Sequence, residues 1–81
     1  MEDYQEFLKC VSGNVKRMRM EHGKTTEEIT IEALGHSSTA FVNQAENLKN
    51  GKHFNLKHLY LLAKYYGCSV EFFLSKLNTY K

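Results

Sequence analysis

The chain has 81 residues, of which 42% are hydrophobic and 25% charged, and it contains no proline. This length allows one compact domain, residues 1–81, and excludes a second hydrophobic core, while the apolar content argues against disorder. The longest apolar run, Leu59 to Ala63, is too short to cross a membrane, and Cys10 and Cys68 are too few for a disulfide scaffold. We therefore expect a single domain that resides in the cytoplasm.

The formal net charge of +2 is unevenly distributed. Residues 1–46 carry five Lys and Arg against eight Asp and Glu, whereas residues 47–81 carry six Lys and a single Glu. No acidic residue occurs between Asn47 and Val70. Such a stretch can lie along a polyanion, although a solvated lysine face is an equally simple interpretation.

The first predicted helix follows from an apolar stripe near the N-terminus and is expected to end at Gly23. Arg19 lies at the border of this stripe. At about 100° per residue, one sector of the helix contains the whole stripe, which consists of Phe7, Leu8, Val11, Val15, Met18 and His22.

A second helix is predicted to begin at once, with Thr25 or Thr26 as its N-cap, because Thr25 and Glu28 have capping-box spacing. It runs to Gly35, and its inward residues are Ile29, Ala33 and Leu34. Ser37 and Ser38 offer the next N-cap. They lead into a third helix over residues 39–46, in which Val42 and Ala45 face inward.

Asn55 is predicted to cap a fourth helix, which ends at Gly67, and Ser69 opens a fifth. The buried face of the fourth contains Leu56, Leu59, Ala63 and Tyr66, with Leu62 at its margin. The apolar face of the fifth contains Val70, Phe73, Leu74 and Leu77. The predicted fold class is therefore all-α, a compact five-helix bundle.

The second and third helices, joined by a glycine-containing turn, form a helix-turn-helix arrangement. In this arrangement the second helix of the pair is held out so that it fits the major groove, where each base pair shows a distinct pattern of donors and acceptors. Any small helical bundle can contain such a pair, so the pattern alone does not decide between DNA binding and another role.

Several short motifs occur in a fixed order along residues 11–77. They are Val15-x-x-Met18-Arg19-x-x-x-Gly23, Thr25-x-x-Glu28-Ile29, Ser37, Val42-x-x-Ala45-Glu46-Asn47, Gly51-Lys52, Leu56-x-x-Leu59-x-x-x-Ala63-x-x-x-Gly67-Cys68-Ser69 and Phe73-Leu74. This ordered set resembles the phage repressor and Cro (XRE-type) helix-turn-helix family. The resemblance implies a lambda-repressor-like five-helix domain that dimerises and represses transcription from a palindromic operator.

The resemblance also assigns roles to individual residues. It pairs Arg19, at the end of the first helix, with Glu46, at the end of the recognition helix, and two separate surface charges are the alternative. It places base reading on Thr39, Ala40, Asn43 and Gln44. It places phosphate binding on Thr26, Ser38, Asn47, Lys49, Lys52 and Lys57. For each of these polar residues taken alone, simple solvent exposure is the alternative.

Two features depart from the family pattern. The distance from Gly35 to Val42 is one residue longer than in common members, and Thr30 or Ile31 stands where a small alanine is usual. Either the turn or the helix therefore carries an extra residue or two, which can shift the base-reading positions by one. Residues 39–47 also contain no Arg or Lys, which favours A·T-rich or shape-based readout.

We expect a sequence-specific, dimeric DNA-binding repressor whose partners are double-stranded DNA and a second copy, with Leu61, Tyr65 and Phe72 as the dimer seam. The alternative is a helical protein-interaction module, such as an antitoxin or adaptor. The sequence contains no close Cys and His cluster and no nucleophile signature, so we predict neither a metal, a cofactor, a small-molecule ligand nor an enzymatic activity.

Overall fold

The computed structural model describes residues 3–76. Its helices are α1 (Tyr4–Glu21), α2 (Thr26–Glu32), α3 (Phe41–Glu46), α4 (Leu56–Tyr66) and α5 (Val70–Leu74), with a 3-10 turn at Lys49–Gly51. The described residues contain no β-strand, and the radius of gyration of 11.7 Å is that of a compact domain of this length. The prediction of a compact all-α domain with five helices is confirmed. None of the described helices is long and apolar enough to span a bilayer.

The core draws one fully buried residue from each of the five helices. Val15, Ile29, Val42, Leu62 and Phe73 are all 0% exposed. Burying an aliphatic or aromatic side chain of this size contributes about 1.5–3 kcal/mol. Because each helix contributes one such residue, no helix can leave the bundle without exposing part of the common core.

The end of the long helix α1 and the start of the shorter α2 lie where the sequence predicts, but α2 ends earlier than predicted. Gly23 adopts a left-handed conformation, with φ of 66°, directly after the C-cap of α1. Thr25 is the N-cap of α2. Its hydroxyl accepts a hydrogen bond from the Glu28 amide at 3.1 Å, and the Glu28 carboxylate accepts one from the Thr25 amide at 2.9 Å. The capping box is confirmed, and α2 itself ends at Glu32, before Gly35.

The third helix begins later than predicted, at Phe41 instead of Thr39. Ser38 is not its N-cap, because Ala40 occupies that position and residues 38–41 form a turn in which the Phe41 amide donates to the Ser38 carbonyl. The reason is the burial of Phe41, whose ring packs between His36 and His58. Thr39 and Ala40 therefore lie in the turn before α3, and not in its first helical turn.

The helix α4 begins at the predicted cap, Asn55, but its buried face is displaced from the prediction. Leu56 is 74% exposed, whereas Leu59, Leu62 and Ala63 are buried. Leu56 is the first residue of the helix, and the side chains that reach the core begin one turn later. On α5, Phe73 is buried and Leu74 is at the surface, while the predicted Leu77 lies outside the described residues.

Candidate nucleic-acid interface

The helix α3 has one buried side and one polar side. Phe41, Val42 and Ala45 are buried. Asn43 is exposed and Gln44 is half-buried on the other side. The side-chain amide of neither residue makes a hydrogen bond with another described residue. The six residues of α3 thus separate a packing side from a polar side that is open to solvent.

An ion pair fixes the C-terminal end of α3 to α1. The Nε of Arg19 donates to Oε2 of Glu46 at 2.8 Å, and its Nη2 donates to Oε1 at 3.0 Å. The two side chains are only 13% and 3% exposed, and the hydrogen bond to Glu46 raises the pKa of Arg19. The pair that the resemblance assigns is therefore present, with bidentate geometry. Since Glu46 is the only acidic residue of α3, this helix presents no unpaired negative charge.

Two hydroxyl groups that the sequence analysis did not single out also hold α3. The Thr30 hydroxyl of α2 donates to the Thr26 carbonyl at 2.8 Å and accepts from the Val42 amide at 3.2 Å. The Ser12 hydroxyl of α1 donates to the Ala45 carbonyl at 3.1 Å. The only sequence signal for Thr30 is its presence where the resemblance leads one to expect alanine.

The same contacts decide the register of α2. Thr30 is fully buried at the approach to α3, while its neighbour Ile31 is 54% exposed. Thr30 therefore occupies the inward position of α2, and the connection 33–40 that leads to α3 turns at Gly35 with φ of 60°. Val42 and Ala45 are buried on α3, as the sequence predicts.

The four predicted base-reading residues fall in two places. Thr39 and Ala40 are exposed in the turn that precedes α3, and Asn43 is exposed on the helix itself. Gln44, in contrast, is half-buried. The structure thus brings Thr39, Ala40 and Asn43 to the surface and leaves Gln44 the least accessible of the four.

The predicted phosphate-binding residues are spread over a wider surface. Ser38, Asn47, Lys49, Lys52 and Lys57 are exposed. The Asn47 side chain already donates to the Asn43 carbonyl at 2.8 Å. Thr26 is half-buried in the first turn of α2, which also contains Glu27 and Glu28. Two carboxylates at this helix end repel an anion, so Thr26 is the least favourable of the predicted contacts.

The segment that carries the lysines has an unusual backbone. Leu48 and Asn50 adopt left-handed conformations with φ of 53° and 55°, and Gly51 follows with φ of 70°. A left-handed leucine costs about 1–2 kcal/mol, so the surrounding packing must impose it. The result is a tight turn after α3 that leaves Lys49 and Lys52 exposed on either side of it.

Two further lysines, which the sequence analysis missed, lie near the end of α3. Lys9 and Lys16 of α1 line a concave surface together with Glu46 and Asn47. They are seven residues apart on α1, a spacing that puts both side chains on one face of a helix. This periodicity is the signal that could have found them.

A cluster of aromatic and imidazole rings lies at the opposite, N-terminal end of α3. We refer to His36, Phe41, Phe54 and His58 as the histidine–phenylalanine cluster. The His36 ring stacks on Phe41 with a centroid distance of 4.7 Å and an interplanar angle of 12°. The His58 ring lies at 4.7 Å from Phe41 on a tilt of 48°, and Phe54 meets Phe41 edge-on at 6.0 Å.

Other chemistry has little support in the described residues. Residues 3–76 contain no group of three or more potential metal ligands. Cys10 is buried, and desolvation raises the pKa of the Cys68 thiol, which opposes formation of the nucleophilic thiolate. The dimer seam that the sequence suggests is partly covered, since Leu61, Tyr65 and Phe72 are all half-buried.

A comparison of the chain with protein-family models, with curated proteins and with solved structures finds no match.

Proposed function

We propose that this protein is a cytoplasmic, sequence-specific DNA-binding regulator of transcription, a repressor that inserts α3 into the major groove in the manner of the phage repressor and Cro helix-turn-helix proteins. The observation that carries the proposal is the division of α3 into a fixed side and an open polar side. A helix that reads the major groove needs one side fixed against the protein and the other side exposed to the base edges.

The chemistry of the open side suits base edges. The side-chain amide of Asn43 can present an N–H donor and a carbonyl acceptor side by side, which matches the adenine edge in the major groove. The methyl groups of Thr39 and Ala40 suit a thymine methyl. Because α3 contains no Arg or Lys, we expect a preference for A·T pairs over G·C pairs.

The charges around α3 favour a polyanion. Glu46 is neutralised by Arg19, and the exposed lysines flank the helix end from two sides: Lys49 and Lys52 from the following turn, Lys9 and Lys16 from α1. Each phosphate that such a lysine neutralises releases counterions and adds to affinity. The exposed glutamates of α2 act against binding, so we expect modest affinity from a single copy.

Modest affinity favours a homodimer on a palindromic operator. Two copies would place their α3 helices in half-sites about one helical turn, roughly 34 Å, apart. Each copy would then read the same short sequence, and the combined site would supply the specificity that one six-residue helix lacks.

The decisive experiment is a selection of bound duplexes from a random pool, followed by a salt titration of the selected sequence. The proposal expects an enriched palindrome and a logarithm of affinity that falls by about 0.9 per neutralised phosphate for each tenfold rise in salt. Recovery of no motif, with only weak binding that moderate salt abolishes, would contradict it.

Two variants separate reading from positioning. Asn43→Ala is expected to relax the preference at one base position by about 1–3 kcal/mol, whereas Lys52→Ala weakens all sequences alike and lowers the salt slope by about one. The matched control is Lys64→Ala, because Lys64 is an exposed lysine near the far end of α4 and should leave both quantities unchanged. A uniform effect of Asn43→Ala across sequences would remove this side chain from base reading.

A second candidate function is a protein-interaction module, and a different surface favours it. Tyr4, Leu56 and Tyr60 are 61%, 74% and 57% exposed, and the first two line a groove between the starts of α1 and α4. Large exposed apolar side chains close together are typical of protein-binding surfaces. The selection experiment separates the two functions, since an interaction module enriches no DNA motif.

A further inference from the structure

We propose that His58 makes the start of α3 sensitive to protonation: its neutral imidazole accepts a backbone N–H and contacts the Phe41 ring, and acidification removes that acceptor. This proposal concerns the fold itself and does not depend on DNA binding. It rests on the histidine–phenylalanine cluster.

Each of the two rings accepts a backbone hydrogen bond. The Ser38 amide donates to Nδ1 of His36 at 3.2 Å, and the Asn55 amide donates to Nδ1 of His58 at 3.0 Å. A backbone N–H can only donate, so the Nδ1 atom that accepts in each bond carries no proton. A second proton on His58 would turn its Nδ1 into a donor and leave the Asn55 amide without this acceptor.

The position of these bonds connects them to α3. His36 precedes α3, and His58 belongs to the first turn of α4. Both rings contact Phe41, the first residue of α3, which is buried. When the His58 imidazole loses its backbone partner, the cap of α4 loosens beside the Phe41 ring.

The surroundings oppose protonation of His58. Burial lowers the pKa of His58, and so do the nearby His36, His53 and Lys57, all of which are cationic when charged. From α1 the titratable group near this site is the Tyr4 phenol, which lines the groove beside His53 and Asn55. No carboxylate is among the groups that shift the His58 pKa, so a proton on this ring has no described counter-charge.

The capping box of α2 shows what the imidazole changes. There the third helical residue is Glu28, whose carboxylate accepts from the Thr25 amide. In α4 the same position is His58, which accepts from the Asn55 amide, while the Asn55 side chain accepts from the His58 amide at 2.8 Å. A glutamate remains charged and able to accept between pH 5 and 8, whereas a histidine changes its state in this range.

The sign of the effect follows from the lowered pKa. The unfolded chain protonates His58 near the ordinary value of about 6.5, and the folded chain does so only at lower pH. The contribution to stability is therefore complete above about pH 6.5, is lost progressively as the pH falls below that value, and changes no further below the folded pKa.

The test measures urea unfolding at pH 7.5 and pH 5.0 for the full chain and two variants. His58→Gln keeps an acceptor at the third helical position, since glutamine serves in capping boxes, but does not titrate. His22→Gln is the matched control, because Nδ1 of His22 faces the Met18 carbonyl at 3.0 Å and can donate in either protonation state.

We expect the unfolding constant of the full chain to rise about threefold or more on acidification, and His58→Gln to remove about half of that rise or more. His22→Gln should retain the whole rise. An equal rise in the full chain and in His58→Gln would overturn the proposal.

A histidine titration by NMR spectroscopy on the unmodified chain gives a second, independent answer if a variant does not fold. The His58 ring is expected to titrate below pH 6.5, and the amide signal of Asn55 should shift with the His58 imidazole signals. A His58 pKa at or above 6.5, or an Asn55 amide signal that does not follow this ring, would overturn the proposal.

Discussion

The two sides of α3 differ in how many partners hold each residue. On the inner side, Val42, Ala45 and Glu46 are bound to Thr30, Ser12 and Arg19, three residues that come from two other helices. On the outer side, Asn43 is exposed and its side-chain amide has no partner among the described residues. The residues that fix the position of α3 therefore differ from the residue that its open side presents to solvent, so either set can be substituted without the other.

The largest expected effect comes from the inner side. Glu46→Ala should lower the free energy of unfolding by about 3 kcal/mol, because it leaves the Arg19 guanidinium without its buried counter-charge. Urea denaturation measures the loss. Replacing both Arg19 and Glu46 by methionine should cost less than the single change, since no charge is then left unpaired. A single variant with an unchanged midpoint would show that the pair contributes nothing to stability.

A smaller effect is expected from Thr30→Val, which keeps the shape of the side chain but removes the acceptor of the Val42 amide. An unsatisfied buried amide costs about 1–3 kcal/mol, and the Val42 amide should also exchange its hydrogen faster. Thr39→Val is the matched control, because Thr39 is exposed and its loss should stay within about 0.5 kcal/mol. Equal losses in the two variants would mean that the hydroxyl of Thr30 has no special role.

The smallest expected effect on stability belongs to the outer side. Asn43→Ala should change the free energy of unfolding by no more than about 0.5 kcal/mol, as is usual for an exposed side chain that makes no hydrogen bond. The same denaturation experiment measures it. A loss of unfolding free energy as large as that of Thr30→Val would show that Asn43 also holds α3 in place. It would then contradict the distinction between the two sides on which the functional proposal rests.

Local features of the fold could be predicted from the sequence because neighbouring residues decide them. The capping box of Thr25 and Glu28, the helix stop at Gly23 and the inward positions Val42 and Ala45 all follow from spacing within one or two turns. The Arg19 and Glu46 pair spans 27 positions. It could be predicted only because Arg19 borders an apolar stripe and the order of the motifs resembles a known family.

The features that could not be predicted depend on contacts between distant segments. The start of α3 moves to Phe41 because His36 and His58 enclose its ring, and His58 lies 17 positions further along the chain. Leu56 has the spacing of a buried residue, yet it is the first residue of α4 and is 74% exposed. Local spacing gives the side of a helix that is apolar, but contacts with the other helices decide where along that side burial begins.

The guanidinium of Arg19 has a consequence for mutational tolerance. Besides its two bonds to Glu46, it donates through Nη1 to the Lys24 carbonyl at 2.9 Å, so one side chain joins the end of α1, the turn before α2 and the end of α3. A lysine carries a single nitrogen and cannot reproduce this planar, three-way geometry. We therefore expect position 19 to tolerate fewer substitutions than its partial exposure to solvent suggests, and Arg19→Lys to be destabilising although it preserves the charge.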